Sequence, residues 1–226
     1  MSKTRKTPRI SANKLAEYLT ANSIRRKQIV KDAKYPAAFM VTRYKEARDI
    51  IRDFAANKYT LADVDAFIED FKAKPTSSEF QENDRISSIN ALEKLKKIDL
   101  SLLSGLKLEP NDNYDDVLKI AGVEVSVFPD IFITQVKGGK TTVGALKIHI
   151  TKDNALNEES QIIVGVLLYV YSEKFLSAVG SIASTKLCFS LDVFKERLQC
   201  CPPGYKNRFN RIEAACEEIA LWWDTL

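Results

Sequence analysis

The segment 123–150 contains an acid and a lysine whose side-chain types and spacing could support catalysis. Two runs rich in β-branched and aromatic residues stand on either side of Gly138-Gly139. Adjacent glycines between such runs predict a two-residue hairpin turn, because both turn positions need a positive φ. Counting outwards by equal steps places Asp130 opposite Lys147, at a distance of about 5 Å. A carboxylate can hold a hard cation and a nearby lysine can orient or deprotonate water, so the pair could support metal-assisted hydrolysis.

The second strand of this hairpin lacks one residue that such catalysis would use. Because side chains alternate along a strand, Val143, Ala145, Lys147 and His149 should share one face. A carboxylate at position 145 could share a cation with Asp130, but alanine has no ligand atom. One carboxylate does not easily hold a hydrated ion, so the sequence predicts weak or absent Mg²⁺ binding. His149 is the only histidine; it is either a phosphate contact or a satisfied core or rim residue.

Composition sets the outer limits. The chain has 226 residues, 45% of them hydrophobic and 28% charged, which is typical of a soluble globular protein. No run of about 18 apolar residues predicts a transmembrane helix, and the basic N-terminus lacks the apolar segment of a secretory signal. The four cysteines form no C-x-x-C pair. Reduced thiols in a cytoplasmic protein are therefore expected.

Positive charge is concentrated at the front of the chain. Residues 1–50 contain 13 Lys or Arg against four Asp or Glu, whereas the remainder is net negative. Such an excess suits a polyanion, because each neutralised phosphate releases counterions. Residues 1–10 are interpreted as a solvated basic tail. A second basic cluster is either a nucleic-acid contact or a solvated helix face, and its members are Arg25, Arg26, Lys27 and Lys31.

Apolar periodicity predicts helices at the front of the chain and an α/β arrangement behind them. Five helices are predicted: one capped by Ser11, one from Ser23 toward Ala33, one that carries apolar residues from Phe39 to Phe54, one capped by Thr60, and one marked by Ile86, Ile89, Leu92 and Leu95. A change in composition near residue 105 predicts a helical lobe, 11–104, and an α/β core, 105–226. In that core, a helix starting at Asn154 or Asn157 follows the hairpin. Two strands around 177–183 and 186–193 and a last helix, 207–223, complete the order.

This order of elements resembles the PD-(D/E)XK nuclease superfamily, in particular its RecB-like branch. The superfamily places an acid at the end of one strand and an acid-x-Lys on the next strand of a hairpin. Phe128-Pro129-Asp130 matches the first half, and Ala145-Leu146-Lys147 stands at the second. The run Ser11-x-Asn13-x-Leu15-x-x-Tyr18 is similar to the helix that often opens RecB-like proteins. The order of elements matches from about residue 10 to the end.

The resemblance implies a restriction-endonuclease-like core, with a central mixed sheet flanked by helices. It also implies a site formed by Asp130, Lys147 and Gln161, with Mg²⁺ or Mn²⁺ as the cofactor and Ala145 in place of the second acid. Gly165 stands where the motif that begins at Gln161 has a tyrosine one turn later. No iron–sulfur cluster is expected, since the N-terminal cysteine of that subgroup is missing. Four acids are candidates to replace the lost ligand, but no spacing selects among them and each is otherwise a surface carboxylate: Glu46, Glu124, Asp115 and Asp116. Glu46 is a candidate metal ligand beside Asp130.

The sequence therefore favours a nuclease-like protein that acts on or binds DNA or RNA through an active site impaired at Ala145. The alanine is either an evolved loss or an introduced change that traps an active enzyme. The alternative is a non-catalytic subunit or interaction module that uses the fold to bind a protein partner. If the alanine is the only defect, Ala145→Glu should give metal-dependent cleavage, and a further Lys147→Ala change should abolish it.

Overall fold

A computed structural model of the chain describes residues 4–36, 43–112 and 116–226. Its helices are α1 (Ala12–Thr20), α2 (Ser23–Lys34), α3 (Lys45–Ala55), α4 (Leu61–Ala73), α5 (Glu79–Leu95), α6 (Glu158–Tyr171) and α7 (Lys206–Thr225). Its strands are β1 (Arg9–Ser11), β2 (Lys107–Pro110), β3 (Val117–Ile120), β4 (Val123–Ser126), β5 (Ile131–Lys137), β6 (Lys140–His149), β7 (Ser181–Asp192) and β8 (Arg197–Cys200).

The strands form two sheets. The main sheet has the order β2-β5-β6-β7-β8, and only β6 and β7 run parallel in it. Helix α6 connects those two parallel strands, as a crossover connection requires. The smaller sheet has the order β1-β4-β3, with β1 parallel to β4. The chain is therefore an α/β protein with mixed sheets flanked by helices, as the sequence predicted.

Each face of the main sheet carries its own hydrophobic core. Ala145 belongs to a first core, which it shares with buried residues of α1, α2, α6 and α7. Its neighbour Leu146 points to the opposite face and belongs to a second core, which contains buried residues of α3, α4 and α5. The predicted helical lobe, 11–104, is therefore divided, because its first two helices and its next three cover opposite faces of the sheet.

Local signals in the sequence place most helix starts correctly. The Ser11 hydroxyl accepts a hydrogen bond from the Lys14 amide, and Thr60 forms a reciprocal capping box with Asp63. Asn157, rather than Asn154, caps α6 through the Ser160 amide. The third predicted helix begins in residues 37–42, which lie outside the described residues, and its described part starts at Lys45.

The structure corrects two predicted boundaries. The predicted strands 177–183 and 186–193 are one strand, β7, which bulges so that residues 184–187 lie opposite Gly144 alone. A Cβ atom on Gly144 would lie 2.2 Å from the Leu187 carbonyl oxygen, so only glycine allows this close approach. The predicted basic tail 1–10 is also too long, because Arg9 and Ile10 pair with β4 as part of β1.

Candidate functional site

The β5–β6 hairpin positions the candidate site. Gly138 and Gly139 form its turn with φ values of +57° and +74°, as predicted. The antiparallel register runs from Lys137↔Lys140 to Ile131↔Leu146. Asp130 lies one residue before this ladder, and its amide donates to the Leu146 carbonyl over 2.8 Å. The predicted cross-strand pairing of Asp130 with Lys147 thus falls one step beyond the antiparallel ladder, because Lys147 lies within β6 but Asp130 precedes β5.

The Asp130 carboxylate accepts hydrogen bonds from two groups of the protein. Its Oδ1 accepts hydrogen bonds from Arg48 Nε and Nη2, over 3.1 Å and 2.8 Å. Its Oδ2 accepts from the Ile148 amide over 2.7 Å. Arg48 also donates to the Ile148 carbonyl over 3.1 Å. Since Asp130 is only 9% exposed, this two-point contact fixes the guanidinium of α3 against the end of the hairpin.

Lys147 is a buried cation with one hydrogen bond to the backbone. Its Nζ donates to the Phe128 carbonyl over 2.8 Å. Phe128 has a left-handed φ of +45°, which is uncommon for a bulky residue and often marks a functional site. Burial lowers the pKa of Lys147 to about 8, an effect that Asp130 opposes and Arg48 reinforces. The amine can therefore exchange a proton near neutral pH.

This buried lysine should make stability depend on alkaline pH. An unfolded lysine keeps its proton up to a pKa of about 10.5, whereas folded Lys147 loses it near pH 8. Between these values the unfolded chain binds more protons, so the free energy of unfolding should rise with pH. We expect a rise on the order of 3 kcal/mol relative to a Lys147→Met variant. Urea titrations of both proteins from pH 7 to pH 10.5 measure the difference, because other titrating groups cancel.

The surface variant Lys137→Met is the control for that titration. Lys137 is exposed at the hairpin turn, so its replacement should leave the wild-type pH profile unchanged. A Lys147→Met profile parallel to that of the wild type would mean that the pKa of Lys147 is ordinary.

His149 is a satisfied residue of the site. Its Nε2 donates to the Asn154 carbonyl over 2.8 Å, so in the neutral ring Nδ1 accepts from Asn13 Nδ2 over 3.0 Å. Burial lowers the pKa of His149, which favours this neutral form. Of the two interpretations of His149, the contacts favour the satisfied side chain over the phosphate contact.

Sequence reasoning missed two residues of the site. Arg48 comes from α3, 82 residues before Asp130, and nothing in its spacing identifies it. Asp192 pairs with His149 across the parallel strands and is fully buried. Its carboxylate accepts from the Leu156 amide over 2.6 Å and the Lys195 amide over 2.9 Å, which fixes the loops after β6 and β7. An acid at the end of the apolar run of β7 was the available signal for Asp192.

Gln161 links three secondary structure elements through its side-chain amide. It is completely buried, and its Nε2 donates to the carbonyls of Ser190 and Arg197, while Arg197 Nε donates to its Oε1. These contacts tie α6 to β7 and β8. One turn later, a Cβ atom on Gly165 would lie 3.2 Å from Cys201 Cα, so the helix approaches the chain too closely for the tyrosine of the superfamily motif.

Position 145 faces the first core. Ala145 is completely buried, and its strand partners are Phe132 on β5 and Cys188 on β7. Strand alternation correctly placed it on the face of Lys147. A longer side chain at this position would therefore have to displace packed neighbours.

The candidate replacement acids are used elsewhere. Glu46 is exposed and accepts from Lys74 Nζ over 2.6 Å. Glu124 belongs to the smaller sheet, where it faces Arg9 at 3.9 Å. Asp116 directly precedes β3 of that sheet, and Asp115 lies outside the described residues. The structure brings neither Glu46 nor Glu124 to Asp130.

The residues of the site do not fit a magnesium ion in this arrangement. Mg²⁺ needs oxygen ligands in near-octahedral geometry, but both Asp130 oxygens are engaged and Ala145 supplies none. Within residues 4–36, 43–112 and 116–226, no three His, Cys, Asp or Glu side chains are grouped to hold a metal ion.

The basic cluster on α2 divides into paired and unpaired cations. Arg25 binds Glu17 over 2.6 Å, and Arg26 donates to the Tyr18 carbonyl over 3.0 Å. Lys27 and Lys31 are exposed, and neither forms an ion pair with any described residue. Arg25 also lines a groove that includes residues 153–157, the segment whose Asn154 carbonyl accepts from His149. The cluster thus borders a groove beside the candidate site.

No protein-family model matches the chain, and a search of curated protein sequences gives no significant match. In the part of the chain that the structure describes, no helix has both the length and the apolar character needed to cross a bilayer.

Proposed function

We propose that this chain is a nuclease-like protein that binds DNA without cleaving it, on a restriction-endonuclease-like core. The arrangement around the hairpin supports the proposal. Asp130 and Lys147 lie at the end of the β5–β6 hairpin, and α6 then leads to β7, parallel to β6. This is the order of elements and the placement of acid and lysine that the PD-(D/E)XK resemblance implies.

The observation that carries the proposal is the pairing of Arg48 with Asp130. Phosphodiester hydrolysis by this type of site needs a carboxylate that is free to hold a divalent ion. Here the Arg48 guanidinium is hydrogen-bonded to the Asp130 carboxylate, and Ala145 supplies no second metal ligand. A guanidinium in the place of a divalent metal ion keeps positive charge beside a bound phosphate. It cannot activate water for hydrolysis of the phosphodiester. Binding without cleavage therefore fits the geometry better than catalysis.

The exposed cations of α2 supply the attraction for a polyanion. Lys27 and Lys31 are four residues apart, so they lie on one helix face about 6 Å apart along the axis. Neither is neutralised by a described carboxylate, so both are available to phosphate groups. The paired Arg25 and Arg26 are better regarded as positioning residues for this corner of the protein.

The double variant Lys27→Glu/Lys31→Glu tests the proposed DNA binding. If each lysine contacts one phosphate, the log–log dependence of affinity on salt should become shallower by about 1.8 for duplex DNA. Affinity at 0.1 M salt should fall by roughly 60-fold or more. Fluorescence anisotropy with a labelled duplex measures both quantities, and gel analysis with Mg²⁺ or Mn²⁺ should reveal no cleavage by the wild type.

A matched control is available at the hairpin turn. Lys137→Glu/Lys140→Glu makes the same change in net charge at the far end of β5, about 20 Å along the strand from Asp130. It should weaken binding much less. If the wild type binds neither DNA nor RNA, the proposal fails and the interaction-module alternative replaces it. Metal-dependent cutting by the wild type would equally overturn it.

A further inference from the structure

The residues before β1 form an arm that is attached to the end of α2. The Arg5 amide donates to the Lys34 carbonyl over 3.0 Å, and Arg5 Nη1 donates to the Ala33 carbonyl over 3.3 Å. A cation beside the last carbonyls of a helix also interacts favourably with the helix dipole. The arm is therefore held in place, although the sequence alone suggested a solvated tail.

An open cavity of about 540 Å³ lies between this arm and the smaller sheet. Arg5, Lys6 and Arg9 line it together with two threonines, and Glu124 is the one carboxylate among its described lining residues. Lys6 is exposed and forms no ion pair with any described residue. The cavity thus combines three cations with hydroxyl donors, which are the groups that bind phosphate oxygens.

Glu124 neutralises only a part of this charge. Arg9 donates through Nε to Ser126 Oγ over 3.0 Å, but its Nη1 lies 3.9 Å from Glu124, too far for a hydrogen bond. Lys119 is the other strand partner of Glu124, so a single carboxylate lies between two cations on the outer face of the smaller sheet. An arginine whose terminal N–H groups are available can bind a phosphate through two parallel hydrogen bonds.

The cavity adjoins the C-terminal end of α2. Arg5 is bonded to the carbonyls of Ala33 and Lys34, in the last turn of the helix that also carries Lys27 and Lys31. The arm and the two exposed lysines therefore belong to one corner of the protein. A chain of regularly spaced phosphates can contact such cations in turn.

We propose that the arm cavity is a second phosphate-binding site, which holds the sugar-phosphate backbone of a nucleic acid whose neighbouring phosphates contact Lys27 and Lys31. This inference rests on the proposed function and extends it. The site reads no bases, so it contributes affinity and register without sequence preference.

Two opposite changes in charge test the arm cavity. Lys6→Ala should make the salt dependence of duplex binding shallower by about 0.9 and weaken binding roughly eightfold at 0.1 M salt. Glu124→Gln removes the lining carboxylate and should strengthen binding severalfold. A structural role of either residue would not produce changes of opposite sign. Lys137→Ala at the hairpin turn is the control and should leave affinity and salt dependence near the wild-type values.

The outcomes separate the two proposals. Wild-type binding that responds to neither Lys6→Ala nor Glu124→Gln overturns the arm site alone and leaves the α2 contact intact. Absence of wild-type binding to DNA and RNA overturns both. Binding of the wild type to anionic phosphatidylserine vesicles but not to DNA would assign these cations to a lipid headgroup and would also overturn both.

Discussion

Replacing Ala145 with glutamate should destabilise the protein by about 4 kcal/mol and should not produce a nuclease. The position is completely buried between Phe132 and Cys188, so the longer side chain overfills a packed core and buries a carboxylate. Lys147 lies on the same face and can offset only part of that cost. Even a well-placed glutamate would meet an Asp130 already held by Arg48.

Urea unfolding at pH 7, combined with a cleavage assay in Mg²⁺ and Mn²⁺, measures this result. Ala145→Gln is the matched control, since it adds the same volume without a charge and should cost less. The sequence alone predicted the opposite outcome. It identified the missing carboxylate at position 145 but did not reveal that packed core residues surround this position. A folded Ala145→Glu protein of wild-type stability that cuts DNA would restore the trapped-nuclease interpretation.

Replacing Arg48 with methionine should lower the free energy of unfolding by about 3 kcal/mol. Breaking an ion pair by removing one partner leaves the other charge buried and uncompensated. Asp130 would keep the Ile148 amide and the nearby Lys147 but would lose its one hydrogen-bonded ion pair. The estimate is at the low end for such pairs because the Arg48 side chain is 40% exposed, so water can partly replace it.

A double-mutant cycle with Asp130→Asn isolates the pair. The double variant Arg48→Met/Asp130→Asn should be more stable than the sum of the two single changes implies, because it removes both members of the ion pair. Arg48→Lys should fall between Arg48→Met and the wild type, since lysine keeps the charge but cannot make the two-point contact. Additive single changes would mean that Arg48 and Asp130 are not coupled, and the account of the blocked carboxylate would then be wrong.

Features encoded by neighbouring residues were predictable from the sequence. The Gly138-Gly139 turn fixed the register of the hairpin, since a two-residue turn leaves one way to pair its strands. Helix caps at Ser11 and Thr60 were equally local, because a cap depends on residues three positions apart. The α/β class followed from the spacing of these elements along the chain.

Features that depend on packing between distant segments were not predictable. The contact of Arg48 with Asp130 joins two segments through the fold, and no local pattern marks an arginine that will be brought to a carboxylate. Strand alternation placed Ala145 on the correct face but did not reveal that helices cover it. The bulge in β7 was mistaken for a gap between strands, because residues 184–187 interrupt the pairing without ending it.

The division of the sheet into two cores has a consequence for the order in which the protein matures on the ribosome. The second core needs residues only as far as β8, so this face can close while α7 is still being synthesised. The first core also requires Ile212, Ile219 and Trp223 of α7, and Lys34 of α2 bonds to the Trp223 carbonyl. Until α7 emerges, the part of the first core that packs against α7 stays exposed, although α1, α2 and α6 already cover the rest of that face. Completion of the first core therefore follows that of the second.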